Sequence, residues 1–119
     1  MKIKTCHTYT ATIYCGLLEG YTPSESIQEE EDKMELAYNI CREYCDKVGL
    51  CLTFEKTHFI YTSGGENGIK VGLINYPRFP STPSEIQKHA GILGERLLVE
   101  LKQQRLSIVY PDITVMLEQ

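Results

Sequence analysis

Residues 50–85, LCLTFEKTHFIYTSGGENGIKVGLINYPRFPSTPSE, contain two predicted strands and the start of a helix. The first part alternates polar Thr53 and Glu55 with apolar Leu52 and Phe54, which is typical of a half-buried strand. The glycines and the asparagine of residues 63–68 favour a hairpin turn, and a returning strand is predicted over 69–76. The tetrad TPSE at 82–85 has the pattern of a capping box with proline at the first helical position.

The flanking sequence supplies one strand and one helix on the N-terminal side, and one strand at the end. Residues 8–19 alternate as a strand, and apolar side chains at helical spacing from Ile27 to Val48 predict a helix capped by Ser24 or Ser26 and ended by Gly49. An apolar stripe extends the second helix to position 101, and residues 106–117 are predicted as the last strand, with a bend at 111–112. This order predicts an α+β fold: a ferredoxin-like four-stranded antiparallel sheet with two helices on one face, in a single domain over residues 1–119.

Composition excludes several classes of protein. The 119 residues carry a net charge of −4, which argues against a protein that coats a nucleic acid polymer. No apolar run approaches the length of about 20 residues that a membrane span needs, and the start MKIKTCHTYT lacks the apolar block of an export signal. We therefore expect a cytoplasmic protein whose five cysteines are reduced and pack as small apolar side chains. No metal site and no cofactor is predicted, because the cysteine spacing fits zinc poorly.

The acidic residues are concentrated in one short stretch. Six of the sixteen lie within residues 25–35, at the predicted start of the first helix, where negative charge complements the helix dipole. We interpret the run from Glu29 to Asp32 as a solvated face. Metal binding by this run is a minor alternative, since adjacent helix positions point in different directions. The rest of the chain is close to neutral, which leaves room for an arginine-lined pocket that holds a small phosphorylated ligand.

The loop NYPRFP at 75–80 is the densest group of recognition-type residues. Asn75 offers a hydrogen-bonding edge, Arg78 a planar fork suited to phosphate, and Tyr76 or Phe79 a ring that can stack on a base. The alternative is that both rings pack on the core while the prolines only end the strand. Arg105, between the second helix and the last strand, is a further basic candidate; on its own it is typical of a solvated cation at a helix end.

Two smaller features bear on catalysis and packing. The three histidines are isolated and lack the His-x-Ser/Thr pairs of a two-histidine phosphoesterase, so no catalytic residue is predicted. Gly91 and Gly94 within the second helix predict a close approach to the backbone, by the sheet or by a second subunit.

Several segments together resemble a known protein family. They are 13–17 (IYCGL), 49–53 (GLCLT), 59–62 (FIYT), 72–80 (GLINYPRFP) and 109–118 (VYPDITVMLE). They look like the first described family of phage anti-Thoeris sponges, which sequester cyclic ADP-ribose isomers made by bacterial immune enzymes. The resemblance implies a binding protein that performs no chemistry, with Phe79 and Arg105 matching the aromatic residue and the arginine of the family's nucleotide pocket. Some members form oligomers and also hold cyclic oligonucleotides.

The sequence therefore predicts a homo-oligomer, a dimer or a multiple of dimers, that sequesters a cyclic ADP-ribose isomer such as gcADPR in the host bacterial cytosol. The predicted ligand-binding residues are Asn75, Tyr76, Arg78, Phe79 and Arg105. This is a non-enzymatic role in immune evasion, and binding of cyclic oligonucleotides (an anti-CBASS role) remains open. Two alternatives are a ferredoxin-like nucleotide phosphodiesterase and a regulatory homodimer without a small ligand.

Overall fold

A computed structural model of the chain describes residues 1–18 and 27–119. They form an antiparallel sheet with two helices packed on one of its faces, which confirms the predicted α+β class. Ser24 and Ser26, predicted as caps of the first helix, lie outside the described residues. The elements in chain order are β1 (Thr10–Gly16), α1 (Ile27–Val48), β2 (Leu52–Tyr61), β3 (Gly64–Ile74), α2 (Pro83–Glu100), β4 (Arg105–Val109) and β5 (Thr114–Glu118).

The sheet has five strands in the order β2-β3-β1-β4-β5, so the prediction of four strands is wrong. The difference arises at residues 106–117, which form two strands rather than one. Tyr110 donates its backbone N–H to the carbonyl of Ile113 at 2.8 Å, which closes a tight turn around Pro111. Proline has no N–H to continue a ladder, so the chain folds back and β5 pairs antiparallel with β4.

The core lies between the sheet and the two helices. In β1 every second side chain is buried, from Ala11 through Ile13 to Cys15, and these residues pack against apolar side chains of both helices. The predicted capping box is present in α2: Glu85 donates its backbone N–H to the Thr82 hydroxyl at 3.2 Å, and Thr82 donates its own N–H to the Glu85 carboxylate at 3.3 Å. The local sequence therefore fixes where α2 begins.

The turn between β2 and β3 lies earlier than predicted. Tyr61 pairs with Gly64, so only Thr62 and Ser63 connect the strands, and Ser63 takes the required positive φ of 61°. The run predicted as a turn pairs with β2 instead, because aromatic rings of β2 cover its glycines: a side chain on Gly64 would collide with the Tyr61 ring.

This shift produces a long two-stranded projection. β1 pairs with β3 only as far as Gly16 and Gly68, whereas β2 and β3 remain paired to their ends. Residues 58–67, hereafter the hairpin arm, therefore extend past the sheet. The molecule is elongated accordingly, measuring 52 × 28 × 28 Å.

One of the two helical glycines behaves as predicted. A Cβ on Gly94 would lie 3.0 Å from Ile108 Cδ1 of β4, which confirms a close approach by the sheet, whereas a Cβ on Gly91 would meet nothing within 4 Å. Among residues 1–18 and 27–119, no helix combines the length and the apolar character that a membrane crossing requires.

Candidate functional site

The predicted loop at 75–80 is held by its first residue. Asn75 is buried and donates its side-chain amide to the carbonyl of His7 at 2.8 Å, while its side-chain oxygen accepts the backbone N–H of Ser81 at 2.7 Å. Both polar ends of this side chain are therefore used inside the protein. In this structure Asn75 joins the N-terminal segment to the loop.

The aromatic and basic residues of the loop lie at the surface. Phe79 is 68% exposed, and the Arg78 guanidinium lies over its ring, 5.2 Å from the centroid. Tyr76 pairs with Phe79 across a tight turn, and both line a cleft of about 380 Å³ between the loop and the end of α1. The exposed Phe79 ring is available for stacking on a ligand and does not pack on the core, whereas Tyr76 is half-buried.

Arg105 lies at the opposite end of the sheet from this loop. Ser107 pairs with Tyr14, which places Arg105 two residues further on, level with Gly16 and Gly68. From that level the strands run six residues to Ile74, which is about 20 Å at roughly 3.3 Å per residue. Arg105 forms an ion pair with Glu118 at 3.3 Å. Within one chain, the structure does not bring Arg105 and Phe79 together, and a ligand-binding role for the five predicted residues stays a prediction.

A larger cavity lies between the first turns of α1 and the base of the hairpin arm. Its volume of about 720 Å³ falls in the range of about 300–1,000 Å³ that is usual for small-molecule sites. One side of α1 forms one wall, β2 and β3 form the other, and Leu17 at the end of β1 closes the inner end. The lining residues of α1 are Ile27, Glu30, Glu31, Met34, Glu35 and Tyr38, and those of the strands are Phe54, Lys56, Thr57, Asn67 and Gly68.

Polar contacts hold the two walls together. Asn67 of the hairpin arm donates its amide to the Glu30 carboxylate at 3.1 Å, and its oxygen lies 2.8 Å from Nδ1 of His58. Because an amide oxygen can only accept, Nδ1 of His58 carries the proton in this contact. Lys33 donates to the carbonyl of Leu17 at 2.7 Å, which ties α1 to the end of β1 beside the cavity.

Both apolar and charged groups line the cavity. Tyr38 and Phe54 meet edge to face, with centroids 5.7 Å apart and an interplanar angle of 87°. Three carboxylates, those of Glu30, Glu31 and Glu35, line the α1 side, against the single ammonium of Lys56 on β2. The cavity therefore offers two aromatic rings together with an excess of carboxylates over ammonium groups among its lining residues.

Sequence reasoning missed this cavity although it identified part of its wall. Ile27, Met34 and Tyr38 belong to the apolar stripe that predicts α1, and the acidic run was interpreted as a solvated face. Glu30 is half-buried because the hairpin arm lies against it. The available signal was the alternation in β2, which places Phe54, Lys56 and His58 on the helix side of the sheet.

The cysteines are free thiols, of which Cys15 and Cys41 are buried. Burial raises the pKa of each of these two thiols to about 12. Burial also raises the pKa of Cys45, which lines a small groove between α1 and β2 together with Cys41 and Cys51. A raised pKa keeps these thiols protonated at neutral pH, which agrees with packing rather than nucleophilic roles.

Two solved structures are similar to this chain over all or most of its length. A phage SAM lyase in complex with S-methyl-5'-thioadenosine has a TM-score of 0.72 and 17% sequence identity, with 100% of this chain and 95% of that chain covered. A phage SAM lyase in the apo state has a TM-score of 0.63 and 20% identity, with 93% and 89% covered. The likeness establishes the fold. No family model and no curated protein matches the sequence.

These neighbours correct the functional expectation. They are phage proteins, as the anti-Thoeris sponges are, but they are lyases, so the prediction of a non-enzymatic sponge is contradicted. The ligand in the first is S-methyl-5'-thioadenosine, which contradicts the predicted cyclic ADP-ribose partner and, with it, the anti-Thoeris and anti-CBASS roles. The predicted homo-oligomer stays a prediction.

Proposed function

We propose that this protein is a lyase that cleaves S-adenosylmethionine (SAM) and releases S-methyl-5'-thioadenosine (MTA). The observation that carries the proposal is the likeness over the full chain to a phage SAM lyase that holds MTA. On this proposal the fold is the ferredoxin-like arrangement extended by β5, and the protein acts in a phage-infected cell.

The cavity between α1 and the hairpin arm supports this assignment by its chemistry. SAM carries a flat adenine, ribose hydroxyls, a sulfonium, an ammonium and a carboxylate, so its net charge is positive. Tyr38 and Phe54 provide an aromatic surface for the adenine or the sulfonium, and Lys56 provides a cation for the carboxylate. The carboxylates on α1 attract the sulfonium and the ammonium of SAM.

The reaction needs little acid catalysis from the protein. Release of MTA breaks the bond between sulfur and Cγ of the amino-acid chain, and the bonding pair stays on sulfur, which becomes a neutral thioether. As that bond breaks, Cγ receives electrons from the substrate's own carboxylate, which closes a lactone, or from a Cβ–H bond, which leaves an alkene and passes the proton to solvent. The contribution of the cavity is to orient the substrate, which favours either intramolecular route over hydrolysis.

The first test is turnover. The protein is incubated with SAM, and MTA is measured by chromatography against the decay of SAM without protein. We expect many equivalents of MTA per chain, and mass spectrometry of the four-carbon product distinguishes the lactone from the alkene. Release no faster than in the protein-free sample would refute the proposal.

A matched pair of variants tests the location of the site. Met34→Trp places a large ring in the cavity, whereas Leu36→Trp adds the same ring to the same helix at a residue that does not line it. We expect Met34→Trp to lower the rate of MTA release at least about tenfold, because the added ring takes up space that the bound substrate needs. Leu36→Trp should retain wild-type activity. Equal activities of the two variants, with unchanged circular dichroism, would place the site elsewhere.

A further inference from the structure

The carboxylates and Tyr38 of α1 line the same cavity as Phe54 of β2. Glu31 and Glu35 are exposed residues of α1, and no hydrogen bond or ion pair joins either carboxylate to another residue within 1–18 or 27–119. Tyr38 follows Glu35 by three positions, so it lies next to it on the same face of the helix. Across the cavity, Phe54 of β2 meets the Tyr38 ring.

We propose that this cavity senses the charge on sulfur, so that it binds the sulfonium of the substrate more tightly than the neutral thioether of the product. The inference rests on the proposed function and adds a determinant of specificity to it. A sulfonium is attracted by carboxylates and by the faces of aromatic rings. A thioether carries no net charge and loses both attractions while keeping the apolar contacts.

Such a site also favours product release. Cleavage removes the positive charge from sulfur and separates the charged amino-acid fragment from the nucleoside. MTA therefore retains only its adenine and ribose contacts, and it leaves a cavity whose carboxylates attract the next cationic substrate. A site that recognised adenosine alone would be occupied by its own product as MTA accumulates.

Stable ligands measure the preference without turnover. Sinefungin has an amine-bearing carbon in place of the sulfonium and is positively charged there, whereas S-adenosylhomocysteine has the same adenosine and amino acid around a neutral sulfur. We expect titration calorimetry at low salt to show sinefungin binding about tenfold more tightly, a factor usual for a partly screened charge pair. The ratio should fall at about 0.5 M salt, where the screening length is only a few ångströms.

Two substitutions identify the groups responsible. Glu35→Gln keeps the size of an exposed side chain and removes its charge, and it should lower the ratio of the two affinities about threefold, while the affinity for MTA stays within about 1.5-fold. Glu95→Gln removes the charge of an exposed glutamate on α2 that does not line the cavity, and its ratio should equal that of the wild type. A second cavity variant, Glu31→Gln, should behave like Glu35→Gln.

The outcomes separate this inference from the proposed function. If the protein releases MTA and binds both analogues equally, the lyase assignment stands and the charge-sensing inference is overturned. The inference is also overturned if Glu35→Gln and Glu31→Gln both leave the ratio unchanged. If none of the three ligands binds and no MTA is released, both proposals fail.

Discussion

Gly68→Ala tests whether the wall of the cavity depends on the close contact of three strands. Gly68 lies in β3 where that strand pairs with β1 and β2, and it lines the cavity. A Cβ at this position would lie 2.6 Å from the carbonyl oxygen of Cys15 and would also collide with the Phe59 ring. The ring can rotate away, but the carbonyl belongs to the backbone of the central strand. The methyl group therefore forces β1 and β3 apart.

The size of the effect follows from the nature of this contact. Overpacking usually costs about 1–3 kcal/mol, and a collision with backbone belongs at the upper end, so we expect the free energy of unfolding to fall by about 3 kcal/mol. For a chain of this length about 1 kcal/mol corresponds to roughly 4 °C, so Tm should fall by about 12 °C. Denaturant unfolding followed by circular dichroism gives the free energy directly.

Gly91→Ala is the matched control for this substitution. It adds the same methyl group where a Cβ would meet nothing within 4 Å, and in a helix alanine is favoured over glycine. The control should therefore raise stability by about 1 kcal/mol, which is the opposite sign. If Gly68→Ala were as stable as the wild type, the strands would not be in the close register described, and the position of the hairpin arm over the cavity would lose its support.

Three further predictions concern stability. Asn75→Ala should lower the free energy of unfolding by about 2 kcal/mol, because it removes both hydrogen bonds of a buried side chain, to the carbonyl of His7 and from the N–H of Ser81, and limited proteolysis should then cleave the N-terminal segment faster. Burial raises the pKa of Cys15 and of Cys41 above the unfolded value of 9.0 to about 12, so the unfolded chain loses these protons first as the pH rises. The stability contributed by the neutral thiols should therefore be fully present below about pH 9 and should fall above it, by up to about 1.4 kcal/mol per pH unit for each thiol. The denaturant midpoint should decrease less steeply with pH when either cysteine is replaced by alanine. Thr82→Ala should lower the free energy of unfolding by about 1 kcal/mol through loss of the helix cap. Ser84→Ala, two residues further along the chain, should lower it much less in the same thermal melt.

The sequence predicts the elements that depend on local chemistry. The capping box at Thr82 and the alternation of β1 each depend on residues close together in the chain, and both are present in the structure. The fifth strand and the position of the hairpin turn were not predicted. Both depend on whether a glycine or a proline fits at a given position of a strand, which is determined by groups distant in the sequence. Gly68, for example, continues β3 with the Phe59 ring packed against it.

The site was harder to predict than the fold for a related reason. The acidic residues at the start of α1 are suited to a helix N-terminus whether or not anything lies opposite them. Only the extension of β2 and β3 past β1 places Asn67 against Glu30 and turns one side of an exposed helix into the wall of a cavity. Phe54 lies in the part of the sheet where β2, β3 and β1 run side by side, and it meets Tyr38 at the other end of the same wall. The cavity therefore combines residues of the three-stranded part of the sheet with Asn67 of the hairpin arm. The length of that arm depends on glycines that the strand accepts because of the side chains and carbonyls packed against them.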